Sequence, residues 1–142
     1  MKRILLAPVF LVVMTAGCQN KTGTNITPGS NTSVSGTVTT GKWVVSYFYD
    51  NDKEETSDYN GYTFEFKNDN TLTATRNSGT ITGTWNEVSD DGFQKMVIAL
   101  NTTDDKLKEL NDDWVIESRN DTQVKLKDDN PARNEQLHFS KQ

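Results

Sequence analysis

The residues with the clearest capacity for chemistry are carboxylates: the alternating Asp50, Asp52 and Glu54, and the doublets Asp90-Asp91, Asp104-Asp105, Asp112-Asp113 and Asp128-Asp129. Grouped carboxylates bind calcium or move protons. A calcium loop starting at Asp50 would need a glycine where Glu55 stands and a bidentate glutamate where Gly61 stands, so the spacing reads as a solvated acidic loop. The doublets lie in polar connections, where carboxylates keep turns hydrated. The chain has one His and one Cys, which rules out a zinc site of the usual type and an internal disulfide. His138 alternates with Leu137 and Phe139, which aims it outward. Neither Gly-x-Ser-x-Gly, nor His-Glu-x-x-His, nor a glycine-rich phosphate loop is present. The expectation is a protein without catalytic residues, metal or cofactor.

The 142 residues amount to one ordinary domain with short additions. Residues 1–17 begin with Lys2 and Arg3, continue through an apolar run broken by Pro8, and end in Thr15-Ala16-Gly17. This is a signal-peptide layout, too short for the roughly 20 apolar residues of a membrane-spanning helix. Thr15-Ala16-Gly17-Cys18 resembles the lipobox of bacterial lipoproteins, with Thr15 in place of the usual Leu. The resemblance implies fatty acylation of Cys18, palmitate included, and a membrane anchor in the cell envelope. Gln19 lacks the acidic character associated with inner-membrane retention, which favours the outer membrane. The mature chain then carries 13 basic and 20 acidic residues. Acidic side chains recur along its whole length, so nucleic acid is excluded as a partner.

Residues 18–40 combine the lipidated Cys with a Thr-, Ser-, Asn- and Gly-rich stretch that reads as a flexible tether. From residue 41 to residue 142 period two dominates. Tyr62, Phe64 and Phe66, then Leu72 and Ala74, then Ile81, Gly83 and Trp85 alternate with polar neighbours. The parity continues through Met96, Ile98 and Leu100, Trp114 and Ile116, Val124 and Leu126, and Leu137 and Phe139. With a first strand from Trp43 to Tyr49, eight strands result. Asn68-Asp69-Asn70, Asn77-Ser78-Gly79 and Arg119-Asn120-Asp121 suit tight hairpins.

A single helical stretch, near residues 104–110, falls between strands five and six, with Thr103 as a candidate cap. Eight antiparallel strands joined by hairpins bury their edges by closing, so the predicted fold is all-β, an up-and-down barrel. Its long connections, residues 50–61, 101–113 and 128–134, gather at one end, and residues 86–93 are the exception.

Gly41-Lys42-Trp43 at the head of the first strand resembles the Gly-x-Trp signature of lipocalins. Tyr62-Thr63-Phe64-Glu65-Phe66, Asn70-Thr71-Leu72 and Gly83-Thr84-Trp85 resemble small bacterial lipocalin-like lipoproteins more closely, over residues 41–142. The resemblance implies a lipocalin-like barrel and a basic side chain from the last strand over the signature Trp. Lys141 has the matching parity, with Lys replacing the more usual Arg.

An eight-stranded barrel is just wide enough to be filled by its side chains or to hold one small ligand. Two functions follow. A carrier of a small hydrophobic or amphipathic molecule would line its mouth with Tyr47, Tyr49, Tyr62, Arg76, Ile81, Leu100, Trp114, Leu126 and Leu137. An accessory lipoprotein with a filled core would instead bind an envelope protein through its loops or through Val44 and Phe48, which strand parity turns outward.

Overall fold

The structure, a computed structural model, describes residues 33–142. The signal peptide, Cys18 and the first part of the tether lie outside the described residues. Alternation decides the architecture. The polar faces of short amphipathic strands take the solvent, and Trp43, Phe64, Phe66, Leu72, Ala74, Trp85, Met96, Val124, Leu126, Leu137 and Phe139 meet inside, each at most 2% exposed.

The strands are β1 (Trp43–Asp50), β2 (Lys53–Glu54), β3 (Thr63–Phe66), β4 (Thr71–Arg76), β5 (Gly79–Asp90), β6 (Phe93–Leu100), β7 (Asp113–Asn120), β8 (Gln123–Lys127) and β9 (Gln136–Lys141). Neighbours from β3 to β9 pair antiparallel in sequence order, and β9 returns to β1 from Trp43↔Lys141 to Tyr49↔Gln136. The result is a closed eight-stranded antiparallel barrel, with β2 as a two-residue flap folded back on β1. The seam between β1 and β3 is the thinnest, with Trp43↔Phe64 its one Cα pair. Above that pair, the 3-10 helix Thr56–Tyr59 occupies the gap: Phe48 N donates to Thr56 Oγ1 (2.8 Å), and Glu55 N donates to Phe48 O (2.9 Å).

The architecture departs from the sequence expectation in the register of β1, in the segment 86–93 and at the start of the domain. The β1–β9 register shifts between Val45 and Tyr47. A bulge inserts one extra residue and so reverses side-chain parity beyond it. Phe48 consequently turns into the core (1% exposed), while Tyr47 and Tyr49 lie on the outer wall. The predicted loop at residues 86–93 is instead strand. Asp90 pairs with Phe93 across the two-residue turn Asp91-Gly92, both at positive φ (48° and 82°), as a type I′ hairpin requires. The even-numbered connections are therefore all short. The folded domain also begins earlier than residue 41. Residues 33–40 belong to it through α1 (Val34–Val38), whose two valines are fully buried under the short-turn end of the barrel.

Helix α1 is too short to be stable alone, and tertiary contacts hold it. Val34 N, Ser35 N and Ser35 Oγ donate to the Glu87 carboxylate at 3.0–3.1 Å, and Trp43 Nε1 donates to Val38 O (2.9 Å). At the opposite end α2 (Asp105–Lys108) falls where a helix was expected, but its cap is Asp104, which accepts from Lys106 N and Leu107 N. Gly83 is required by close approach: a Cβ there would lie 2.6 Å from Leu100 Cα.

Candidate acidic rim at the long-loop end

Strand direction alone brings residues 51–62, 77–78, 101–112 and 128–135 to one end. The mouth expected there is closed by the loops themselves. Tyr59 from the first loop and Leu107 and Leu110 from around α2 are buried over the barrel end, and Phe48 meets Tyr59 and Trp114 edge-on at 5.1 and 6.4 Å. Tyr59 Oη donates to Lys106 O (3.0 Å), and burial pushes its phenol upward. Lys106 Nζ reaches Glu55 (2.7 Å), Glu109 (3.1 Å) and Asp58 (3.3 Å), strapping α2 to the first loop.

The residues predicted to line a mouth separate into three groups. Tyr62, Leu100, Trp114, Leu126 and Leu137 are buried in the packed interior, and Trp114 Nε1 donates to Leu110 O (3.0 Å). Arg76 is exposed and covers the Tyr62 ring from outside at 4.2 Å, with Ile81 half-buried near it on the same turn. Tyr47 and Tyr49 are excluded by the bulge. Their rings run parallel at 6.4 Å on the outer wall, and Tyr47 also packs on His138 at 4.9 Å. Among the described residues, four of the concavities on the outer surface measure about 290 to 480 Å³; Tyr62, Arg76 and Ile81 line one of them, and none of the four is lined by Leu100, Trp114, Leu126 or Leu137.

At the other end the expected basic cover of Trp43 is present. Lys141 Nζ lies 5.7 Å from its ring centroid and donates to Thr40 Oγ1 (2.9 Å). Gly41, at φ 84°, passes beneath this side chain; a Cβ there would stand 2.7 Å from Lys141 Cε.

The largest of the four concavities, about 480 Å³, lies between the first loop, the segment after α2 and residues 132–135, and its walls are mostly charged. Here Asp112, Asp128 and Glu135, from three separate positions in sequence, place carboxylate oxygens within 4.8 Å of one another. The segment 128–135 folds locally to do this. Asp128 Oδ1 accepts from Asn130 N (2.6 Å), Asn130 Oδ1 accepts from Ala132 N (3.0 Å), and Asn134 takes a left-handed φ of 54°.

Arg133 neutralises the group from its edge. Its Nη1 is 3.2 Å from Asp128 and 3.8 Å from Asp112, and its Nε is 3.5 Å from Glu135. The balance is incomplete. Burial, followed by the charge and hydrogen bond of Asp50, pushes Glu135 up to about 7 despite Arg133. Burial raises Asp112 as well. The oxygens have the spacing of cation ligands, but the guanidinium now supplies the positive charge, so the arrangement suits a basic group approaching from solvent.

Sequence reasoning treated these carboxylates as isolated doublets. It had no means of finding that the first members of two doublets meet Glu135 across the barrel end.

The fold and rim define a closed, eight-stranded antiparallel barrel with an acidic loop end. No family model and no curated protein matches the sequence. Among solved structures, the chain is similar to a DUF4847 family protein from Bacteroides vulgatus, with 18% identity and a TM-score of 0.56 over 78% of this chain and 98% of that chain. Likeness at that identity is likeness of fold.

Proposed function

We propose that the chain is a lipid-anchored, non-enzymatic binding module of the bacterial cell envelope, acylated on Cys18, whose acidic rim engages a basic protein partner. The observation that carries this reading is the filled interior. Five of the nine positions that would line a carrier's cavity, Tyr62, Leu100, Trp114, Leu126 and Leu137, are packed in the interior, and the charged rim forms a concavity of about 480 Å³. The mature chain's acidic excess and the incomplete neutralisation around Glu135 favour a cationic partner, because complementary charge steers association. The rim and the buried α1 occupy opposite ends of the barrel, so the chain enters the domain at the end away from the rim. Gln19 after the acylated Cys favours the outer membrane.

A photo-crosslinking side chain at Ala132, exposed on the rim, tests this in cells against the same side chain at Asp121 on the opposite end. The expected result is a protein adduct from Ala132 that weakens with salt, and little from Asp121. Equal labelling from both sites would reject the rim as an interface. Quenching of the buried tryptophans by added fatty acids would return the reading to a hydrophobic-ligand carrier.

A further inference from the structure

Among the described residues two large apolar side chains stand exposed, Val88 and Phe93, the latter by 54%. Both lie on the outer face of the β5–β6 hairpin. Asp90 pairs with Phe93 and Val88 with Lys95, so the two occupy diagonal positions, roughly 7–8 Å apart. The turn Asp91-Gly92 shapes the hairpin without needing either residue. The folded part of the chain begins beside the same hairpin, on its opposite face, because Glu87 alternates with Val88. Glu87, the residue before Val88, accepts the hydrogen bonds of Val34 and Ser35, so Ser33 leaves the domain at the foot of the hairpin. Fourteen residues separate Ser33 from Cys18, a reach of no more than about 50 Å.

We propose that the hairpin tip, through Phe93 and Val88, enters the headgroup layer of the same bilayer that holds Cys18, so that anchor and tip together fix which way the barrel faces. The inference rests on the lipid-anchor reading above. An aromatic ring is well placed at a membrane–water interface. Two side chains bind weakly alone, but a short tether holds them at an effective concentration in the millimolar range (roughly 1 mM or more), where a weak contact is occupied. Lys95 Nζ lies 3.3 Å from Asp90 but 2.8 Å from both Asp113 and Asp129, so its one charge is shared among three carboxylates beside the tip. Asp91 adds a further negative charge, which makes a zwitterionic headgroup layer the fitting surface.

The test uses residues 18–142, with Cys18, the chain's one thiol, coupled to a maleimide lipid in phosphatidylcholine–phosphatidylethanolamine vesicles containing brominated acyl chains. Trp43, Trp85 and Trp114 are at most 2% exposed, so a Phe93→Trp reporter is read above a protected background. A Ser78→Trp variant at the long-loop end is the control.

The expected result is quenching of the Phe93→Trp signal at least about twofold beyond the control, lost when the protein is free in solution. Equal quenching of the two reporters would overturn the tip contact. The anchor is tested separately by incorporation of labelled palmitate into the full chain and its loss in Cys18→Ser. Incorporation with differential quenching supports both inferences. Absence of label overturns the anchor and, with it, the contact in cells, whatever the vesicles show.

Discussion

Glu135 keeps its proton to about neutral pH because burial and the adjacent Asp50 both disfavour its charged form. The sign of the consequence follows from linkage. Between its ordinary value of 4.5 and about 7 the folded protein holds a proton that the unfolded chain has released, so stability from this group falls as pH rises through that window. Replacing Glu135 by Gln removes the unfavourable charge while keeping the shape. Thermal melts should show Glu135→Gln raising Tm by roughly 2–5 °C near pH 8 and leaving it almost unchanged near pH 5. An equal effect at both pH values would mean that ionisation is not responsible. None of this was visible in the sequence, where Glu135 stands in a polar connection like any other glutamate.

At the scale of elements, the register shift in β1 decides which aromatic residues form the core. Strand parity assigned Tyr47 and Tyr49 to the interior and Phe48 to the surface. The shift after Val45 reverses this, and it arises in the pairing with β9, a partner more than ninety residues away. Phe48→Ala should therefore cost about 3–5 kcal/mol in urea unfolding, and Tyr47→Ala about 1 kcal/mol or less. The reverse order would restore the unshifted register.

Helix α1 was missed for a related reason. Its composition resembles a linker, and the signal that it folds is Glu87, far along the chain. Burial of Glu87 raises its pKa, but the hydrogen bonds from Val34 and Ser35 outweigh this and leave it lowered. Its stabilising contribution is therefore present above the ordinary carboxylate value of 4.5 and is lost as pH falls through the lowered one. Hydrogen-exchange protection of the Ser35–Val38 amides should drop in acid while the barrel stays protected, and Glu87→Ala should produce that loss at neutral pH. Unchanged protection in the variant would show that valine burial alone holds the helix.

Considered whole, the molecule is a barrel stoppered at both ends, by α1 beneath and by Tyr59, Leu107 and Leu110 above. Closure at the weak β1–β3 seam depends on the loop between them. Because Val34 and Val38 are fully buried, the domain extends back to about residue 33. A chain starting at Gly41 should lose roughly 3 kcal/mol relative to one starting at Ser33, the order expected for exposing two buried valines. Equal denaturation midpoints would place the boundary at Gly41 after all.

The strands, their sequential pairing and the closed barrel were legible in the alternation of apolar and polar residues from Tyr62 to Phe139, because a period of two is a local property of the chain. So was the gathering of long connections at one end, since strand direction follows from counting hairpins. The β1 register, the burial of α1, the stoppered mouth and the convergence of Asp112, Asp128 and Glu135 around Arg133 were not. Each depends on which distant residue lies opposite, and that is settled only when closure of the barrel brings the two ends of the chain together.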